Sequence, residues 1–435
     1  MILGGNEHNG SNRATFDDLF RRAGVRHADA LALIDPPNCE SVIGHAPRRL
    51  TFAQADRAIS ALAAKLRGLG LQTDTVVAIQ LANTVDSVIA FLGVLRAGMI
   101  AAPLPLLWRE QDMVDALGRI SAKAIITSTH VGADAQSTSF AEIAMRVAAK
   151  LFPIRFVCGF GREPADGVVP LDDVFAYAPG EFFQLAPRPG PATVHVAVIT
   201  FDVTGDGFVP IARSQRELIA GGFLEGRLAP DATILSAIPI GSFAGIALTL
   251  VPWLLGGGTL ALHHGFDPAA FAAQARVHDP LTVVLPGPAL MPLADAGLLD
   301  GQIKTILALW RAPEPLAAAA PWRREAALVD IASFRETMLL PARRGPDGMP
   351  VPVPPNAAPP AGLTVVGFYR LRQREVDAAV AAVDPAAVIV ALPDALLGQR
   401  LAGRARDSDA VATELQARGV NSLIAGAFRT RDNAA

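Results

Sequence analysis

The chain has 435 residues, enough for two or three domains built around a large apolar core. With 51% hydrophobic and 18% charged residues it is neither disordered nor collagen-like, disulfide-scaffolded or coiled-coil, and a net charge of −3 gives no bulk attraction to nucleic acid or anionic membrane. Two cysteines, Cys39 and Cys158, cannot form a disulfide framework and match no metal-ligand spacing, which fits a reducing, cytoplasmic setting.

The first ten residues are polar and glycine-rich and show no secretory pattern. From there to about residue 160, helical and strand patterns alternate at short spacing, which predicts βα units on a largely parallel sheet. Thr51 and Gln54 form a capping box, Ala55, Ile59, Leu62 and Leu66 share one helical face, and Gly68 and Gly70 supply the stop. Strands are predicted over 76–81, 99–106, 124–127 and 154–158, with helices over 84–98, 113–120 and 141–151 between them. A proline-rich connection covers 160–190.

A second alternating region follows, with strands over 194–201, 234–238, 260–263, 282–285 and 305–309. Within it, residues 232–266 contain no Asp, Glu, Lys or Arg, a run long enough to span a bilayer. Pro239, Gly241, Gly245, Pro252 and Gly256-Gly257-Gly258 break it, so it reads as buried strand, helix and strand, and no membrane span is expected. Residues 341–362 are rich in proline and poor in apolar bulk, as suits an extended linker. The remainder reads as strand 363–366, helix 375–383, strand 388–392, helix 409–418 and strand 422–428. The expected architecture is therefore α/β: an N-terminal region, 1–340, with subdomains of about 1–160 and 190–340, then the linker and a small α+β domain, 363–435.

Between the strand at 194–201 and a helix opening near Ser214 lies Asp202-Val203-Thr204-Gly205-Asp206-Gly207. Taken alone, this is either a tight turn or a loop whose backbone N–H groups cradle phosphate. Asp202 and Asp206 repel phosphate, and no lysine is close. Arg213 and Arg216 are the nearby cations.

Arg48-Arg49-Leu50-Thr51-Phe52, Leu95-Arg96-Ala97-Gly98, Ala102-Pro103-Leu104 and Ile199-Thr200-Phe201, in this order, resemble adenylate-forming enzymes of the acyl-CoA synthetase type. The resemblance covers most of 15–340 and, more faintly, 363–428. It implies that a carboxylate and ATP give an acyl-adenylate, with coenzyme A or another thiol taking the acyl group. Such chemistry requires neutralised phosphates, a magnesium ligand, nucleotide anchors and a lysine near the reacting carboxylate.

Under this resemblance the phosphate loop is Thr204-Gly205-Asp206-Gly207, with Phe208 or Val209 where the family has lysine. The adenine turn corresponds to Trp310-Arg311-Ala312-Pro313, so an indole stands where a base needs glycine. Ala332 replaces the stacking tyrosine, and Glu336 matches the magnesium-binding glutamate. The ribose-binding aspartate has no counterpart, since Asp347 reads as part of a turn. Only four of the 38 basic residues are lysine, Lys65, Lys123, Lys150 and Lys304, so the C-terminal lysine is missing as well.

The acyl-binding half is better kept. Gly241, Ser242, Phe243 and Gly245 fall where the family has Pro-x-x-His-x-x-Gly, and Gly287 follows the next strand, which together imply an apolar pocket at the strand ends. His263 and His264 read as solvated loop histidines. The expectation is an acyl-CoA synthetase-like protein with an eroded ATP site, a pseudoenzyme that binds an acyl or aryl carboxylate or thioester, or a partner such as an active paralogue or a carrier protein. ATP, Mg and coenzyme A are its cofactors only if it is active as a ligase; nucleic acid is not an expected partner.

Overall fold

In the computed structural model, residues 14–132, 137–161, 164–176, 190–222, 231–264, 266–277, 281–352, 362–366, 369–394 and 398–429 are described. Thr51 Oγ1 accepts the Gln54 backbone N–H, and the Gln54 side chain accepts the Thr51 N–H, so the capping box opens helix Phe52–Gly68 as expected. Its face of Phe52, Ala55, Ile59, Leu62 and Leu66 is buried against helix Val85–Arg96, which is buried on all sides. A helix buried all round needs apolar residues all round, and here they come from Val85, Val88, Ile89, Phe91, Leu92, Val94 and Leu95.

Two sheets carry the molecule. The seven-stranded one runs Gly207–Ser214, Val196–Thr204, Ile100–Pro103, Val76–Gln80, Ala124–Ser128, Phe156–Phe160 and Val168–Pro170, parallel except for the first pair. The eight-stranded one runs Met338–Arg343, Ala327–Phe334, Ile303–Trp310, Leu281–Pro286, Thr233–Ser236, Leu260–Leu262, Leu31–Ile34 and Arg49–Thr51, with antiparallel pairs only at its two ends. The main core lies between them, where Phe16, Phe20, Phe52, Phe91 and Trp253 meet the inner faces of both sheets. Sheet membership does not follow the two expected halves. Leu31–Ile34 and Arg49–Thr51 join the later sheet, and Val196–Ser214 joins the earlier one. Short-range patterning finds strands but carries no record of which sheet each one enters.

The charge-free run forms strand Thr233–Ser236, a helical stretch over 243–256 containing a π-helical turn at Ile246–Leu250, and strand Leu260–Leu262. Most of its described residues are buried. No helix among the described residues is long and apolar enough to cross a membrane. The expected linker begins three residues inside a strand, since Met338–Arg343 pairs with Ala327–Phe334, and its residues 353–361 lie outside the described ones, as do 162–163 and 177–189 of the earlier proline-rich connection.

After it come two hairpins, Leu363–Val366 with Tyr369–Arg372 and Val388–Asp394 with Gly398–Arg404, and helices Gln373–Ala381, Ser408–Ala417 and Ser422–Gly426. The last was expected as a strand. It is a helix because Asn421 caps it, accepting the Leu423 N–H at 2.8 Å, while Ile424, Ala425 and Phe428 turn into the local core. Leu107 joins that same core, so the C-terminal elements pack directly on the body.

Candidate functional site

Four parallel strands, Ile100–Pro103, Thr233–Ser236, Ile303–Trp310 and Ala327–Phe334, deliver the residues that follow them to one cleft: Leu106 to Trp108, Pro239 to Ser242, Arg311 and Glu336. Carboxyl ends of strands are where open α/β sheets bind ligands. Phe201 and Val203 line a further wall, and Tyr369, Arg370 and Leu371 of the first C-terminal hairpin close the cleft, leaving about 70 Å³ free. That is about half the ~150 Å³ of a cavity known to take benzene.

Glu336 sits in the tight turn joining Ala327–Phe334 to Met338–Arg343, where Arg335 takes a left-handed backbone with φ of 52°. The turn points the Glu336 carboxylate at the start of the 243–256 helix. Its Oε2 accepts the Phe243 N–H at 2.7 Å, one of the donors a helix leaves unsatisfied at its N-terminus, and its Oε1 lies 3.2 Å from Arg311 Nη1. Arg311 Nη2 donates to Ser242 Oγ at 3.0 Å, and Ser242 in turn caps the helix by accepting the Gly245 N–H. Gly245 can only be glycine here, because a β-carbon would lie 1.9 Å from the Pro239 carbonyl oxygen.

Four further charged groups complete the cluster. Arg213 donates to the Glu336 carbonyl oxygen and to Thr200 Oγ1, with its guanidinium 4.2 Å from the Phe243 ring centre. Arg370 Nη1 donates to Asp202 Oδ1 at 3.1 Å, and Arg335 lies 3.9 Å from the other oxygen. Burial, reinforced by the charge of Arg311, pushes the Arg370 guanidinium down to about 10 against the pull of Glu336 and Asp202. Burial also raises the Asp202 carboxyl and lowers Arg213.

Of the residues singled out in the sequence, Gly241, Ser242, Arg311 and Glu336 meet in this cleft, and Phe243 and Gly245 stand directly behind it. Thr204, Gly205, Asp206 and Gly207 do not join them. Strand Val196–Thr204 returns directly as Gly207–Ser214, with Thr204 paired to Gly207, so the segment is the two-residue turn of a β-hairpin and not a strand-to-helix cradle. Gly287 is also absent from the cleft, because the indole of Trp310 covers it; Trp310 and Ala332 are buried in the core on the outer side of the eight-stranded sheet. Asp347 accepts the Met349 N–H and is a turn residue, as read.

The resemblance gives Glu336 to magnesium; here its two oxygens face a backbone N–H and a guanidinium. The contribution of Tyr369, Arg370 and Asp202 was not visible in the sequence, because Asp202 and Arg370 meet across 168 residues.

Two other expectations are corrected. His263 is 1% exposed, with Nδ1 against Gln274 Oε1 at 2.7 Å and Nε2 accepting the Asp267 N–H, and His264 Nδ1 accepts the Asn83 N–H at 3.1 Å. His263 is thus a buried, locally bonded residue, and the half-buried His264 ties its strand end to Asn83 beyond the seven-stranded sheet. Asp35, Cys39 and His45 come within 4.8 Å of one another, the one such group among the described residues, although their spacing in sequence did not suggest it. Asp35 already accepts the Val85 and Arg48 N–H groups, and Arg48 Nη1 lies 2.7 Å from His45 Nε2, so a resident cation occupies this cluster.

The family model for AMP-binding enzymes matches residues 20–159. Long-chain fatty acid transport protein 1 of Rattus norvegicus is 26% identical over 266 residues, covering 59% of this chain and 38% of the relative. The medium/long-chain-fatty-acid–CoA ligase FadD6 of Mycobacterium tuberculosis is 23% identical over 273 residues, covering 60% and 40%. The chain thus spans about two-fifths of the length of these curated relatives. An apo structure of MbtA from Mycobacterium smegmatis has a similar fold, with a TM-score of 0.60 at 19% identity over 94% of this chain and 90% of that one.

Proposed function

We propose that this chain, whose residues 20–159 match the model of AMP-binding enzymes and which has the fold of the adenylate-forming superfamily, is an acyl-CoA synthetase-like protein with an eroded ATP site. It binds an acyl or aryl carboxylate or thioester, or a partner such as an active paralogue or carrier protein, as an auxiliary component of a biosynthetic pathway. One observation carries this reading: Glu336, matched to the magnesium ligand, spends its carboxylate on Phe243 and Arg311, and Arg311 itself stands in the segment matched to the adenine turn.

The loss of lysine after Lys304 and the indole seated on Gly287 support it. The names of the relatives, a fatty-acid–CoA ligase and a fatty acid transport protein, support an acyl compound as the ligand class. Pyrophosphate exchange with a panel of carboxylic acids tests the reading. Exchange at the background rate is expected, and ordinary turnover with any acid overturns it.

A divergent but active carboxylate–CoA ligase is the second reading, favoured by the survival of Glu336 beside the buried Arg311 and Arg370 of the cleft. It requires exchange that disappears in Glu336→Gln.

A further inference from the structure

We propose that Asp202 and Asp115 are the two catches of an ionic latch, which Arg370 and Arg372 of the first C-terminal hairpin engage to hold the C-terminal elements over the cleft. The inference concerns what keeps the cleft shut, and depends neither on which compound binds there nor on the use of ATP.

The interface itself calls for such a device. Among the described residues, the buried core of the C-terminal elements is drawn from residues 366–428, with Leu107 as its one member from the body. Apolar packing therefore chiefly holds this unit together, and not onto the body. Units of one chain that meet through a small, polar interface move relative to one another unless something specific holds them.

Ion pairs supply the hold. Arg370 and Arg372 stand two residues apart on strand Tyr369–Arg372, so their side chains leave the same face and reach separate elements of the body. Arg370 Nη1 donates to Asp202 Oδ1 at 3.1 Å, with both side chains buried. Arg372 Nη2 lies 3.4 Å from Asp115 Oδ2 on helix Glu110–Gly118, and its guanidinium is 4.7 Å from the Phe208 ring centre. Glu375 pairs with Arg372 from within the C-terminal unit, Arg119 shares Asp115, and the half-exposed Arg335 lies 3.9 Å from Asp202. The latch also gives Asp202 a purpose: an aspartate leading into the turn Thr204–Gly207 repels phosphate but suits a guanidinium.

The energetics make the latch reversible. Closing it takes water from both members of the Arg370–Asp202 pair, and that cost offsets most of their attraction. Neutralising one partner shifts the balance toward opening, because the closed state then keeps a buried charge that has lost its counter-charge, whereas in the open state the same charge is hydrated. Loss of the Asp202 charge therefore releases the hairpin, and Tyr369, Arg370 and Leu371 leave the wall of the cleft with it.

Amide exchange of the full chain, followed segment by segment, tests this. Asp202→Asn is expected to speed exchange over 363–366 and 369–372 by about tenfold or more, and to leave strand Ile303–Trp310 of the body as protected as in the natural sequence. Asp115→Asn, which removes a carboxylate that is already a third exposed, is expected to act in the same direction and less. Once Asp202 is neutral, Arg370→Gln is expected to add little, because the two residues make one contact. The proposal is overturned if the hairpin of folded Asp202→Asn exchanges as slowly as in the natural sequence, if hairpin and body strand loosen together, or if the two substitutions act additively. Should Asp202→Asn not fold, Asp115→Asn decides, and unchanged exchange in the hairpin then overturns the proposal. Pyrophosphate exchange at ordinary turnover would instead overturn the eroded-site reading and leave the latch standing.

Discussion

The indole of Trp310 occupies the space that a side chain at residue 287 would need: a β-carbon on Gly287 would come 2.2 Å from Trp310 Cδ2. The indole is fixed from its other edge, where Nε1 donates to Asp330 Oδ1 at 2.8 Å and Asp330 is held by Arg344 at 2.7 Å. Trp310, the first residue of the segment matched to an adenine turn, is in this chain a core contact.

Gly287→Ala is therefore expected to destabilise the fold by about 1–3 kcal/mol, the cost of overpacking a filled core. Urea unfolding measures it. Unchanged stability would show that the indole can leave its seat.

Breaking the Arg311–Glu336 pair from one side leaves a buried charge alone. Glu336→Ala is expected to cost about 3–5 kcal/mol, and Glu336→Gln clearly less, since an amide can still accept from Phe243. Equal losses in the two variants would mean that the ion pair, rather than the cap on Phe243, accounts for the cost.

Mg-ATP at a hundredfold excess over a dissociation constant would stabilise a binding-competent protein by roughly 2.7 kcal/mol. No such shift is expected here, as read by differential scanning fluorimetry. A clear shift would revive the ligase reading.

Two buried groups act in opposite directions on acidification. Burial pushes His264 down to about 4 from an ordinary 6.5, so the fold prefers its neutral form: its contribution is complete above 6.5 and is lost as pH falls through 4. Burial, aided by Asp86, pushes Asp35 up to about 6 from 3.8, so its contribution is complete below 3.8 and is lost as pH rises through 6. Each shift is worth about 3 kcal/mol at most. Asp35→Asn should make stability fall more steeply between pH 6 and 4 than in the natural sequence, and His264→Asn should make it fall less. Unaltered pH profiles of the unfolding midpoint would remove both groups from the account.

Neither cysteine should react in the folded state. Cys39 and Cys158 are fully buried, and burial pushes the Cys158 thiol up to about 12 and Cys39 upward too. A thiol-specific chromogenic reagent should therefore titrate no thiol in native protein and two in denaturant. Rapid labelling without denaturant would contradict the burial.

Periodicity and punctuation in the sequence were enough for most elements: the Thr51 capping box, the apolar face from Ala55 to Leu66, and the strand–helix–strand division of the charge-free run all depend on residues within about ten positions of one another. The resemblance to adenylate-forming enzymes was carried by such local runs as well. Where two local forms compete, sequence was a poorer guide: Ser422 to Phe428 satisfies a strand pattern until Asn421 caps a helix, and Thr204 to Gly207 serves a hairpin as well as a phosphate loop.

The candidate site was legible only in pieces. Gly241, Ser242, Arg311 and Glu336 could be singled out one by one, but their meeting with Arg370 could not. That meeting requires two interleaved sheets to bring four strand ends together and the C-terminal hairpin to fold back on them. Local backbone preferences act over a few residues and are written in composition and spacing. The pairing of Asp202 with Arg370 and the seat of Trp310 on Gly287 depend on long-range packing, which decides which distant side chains lose water together.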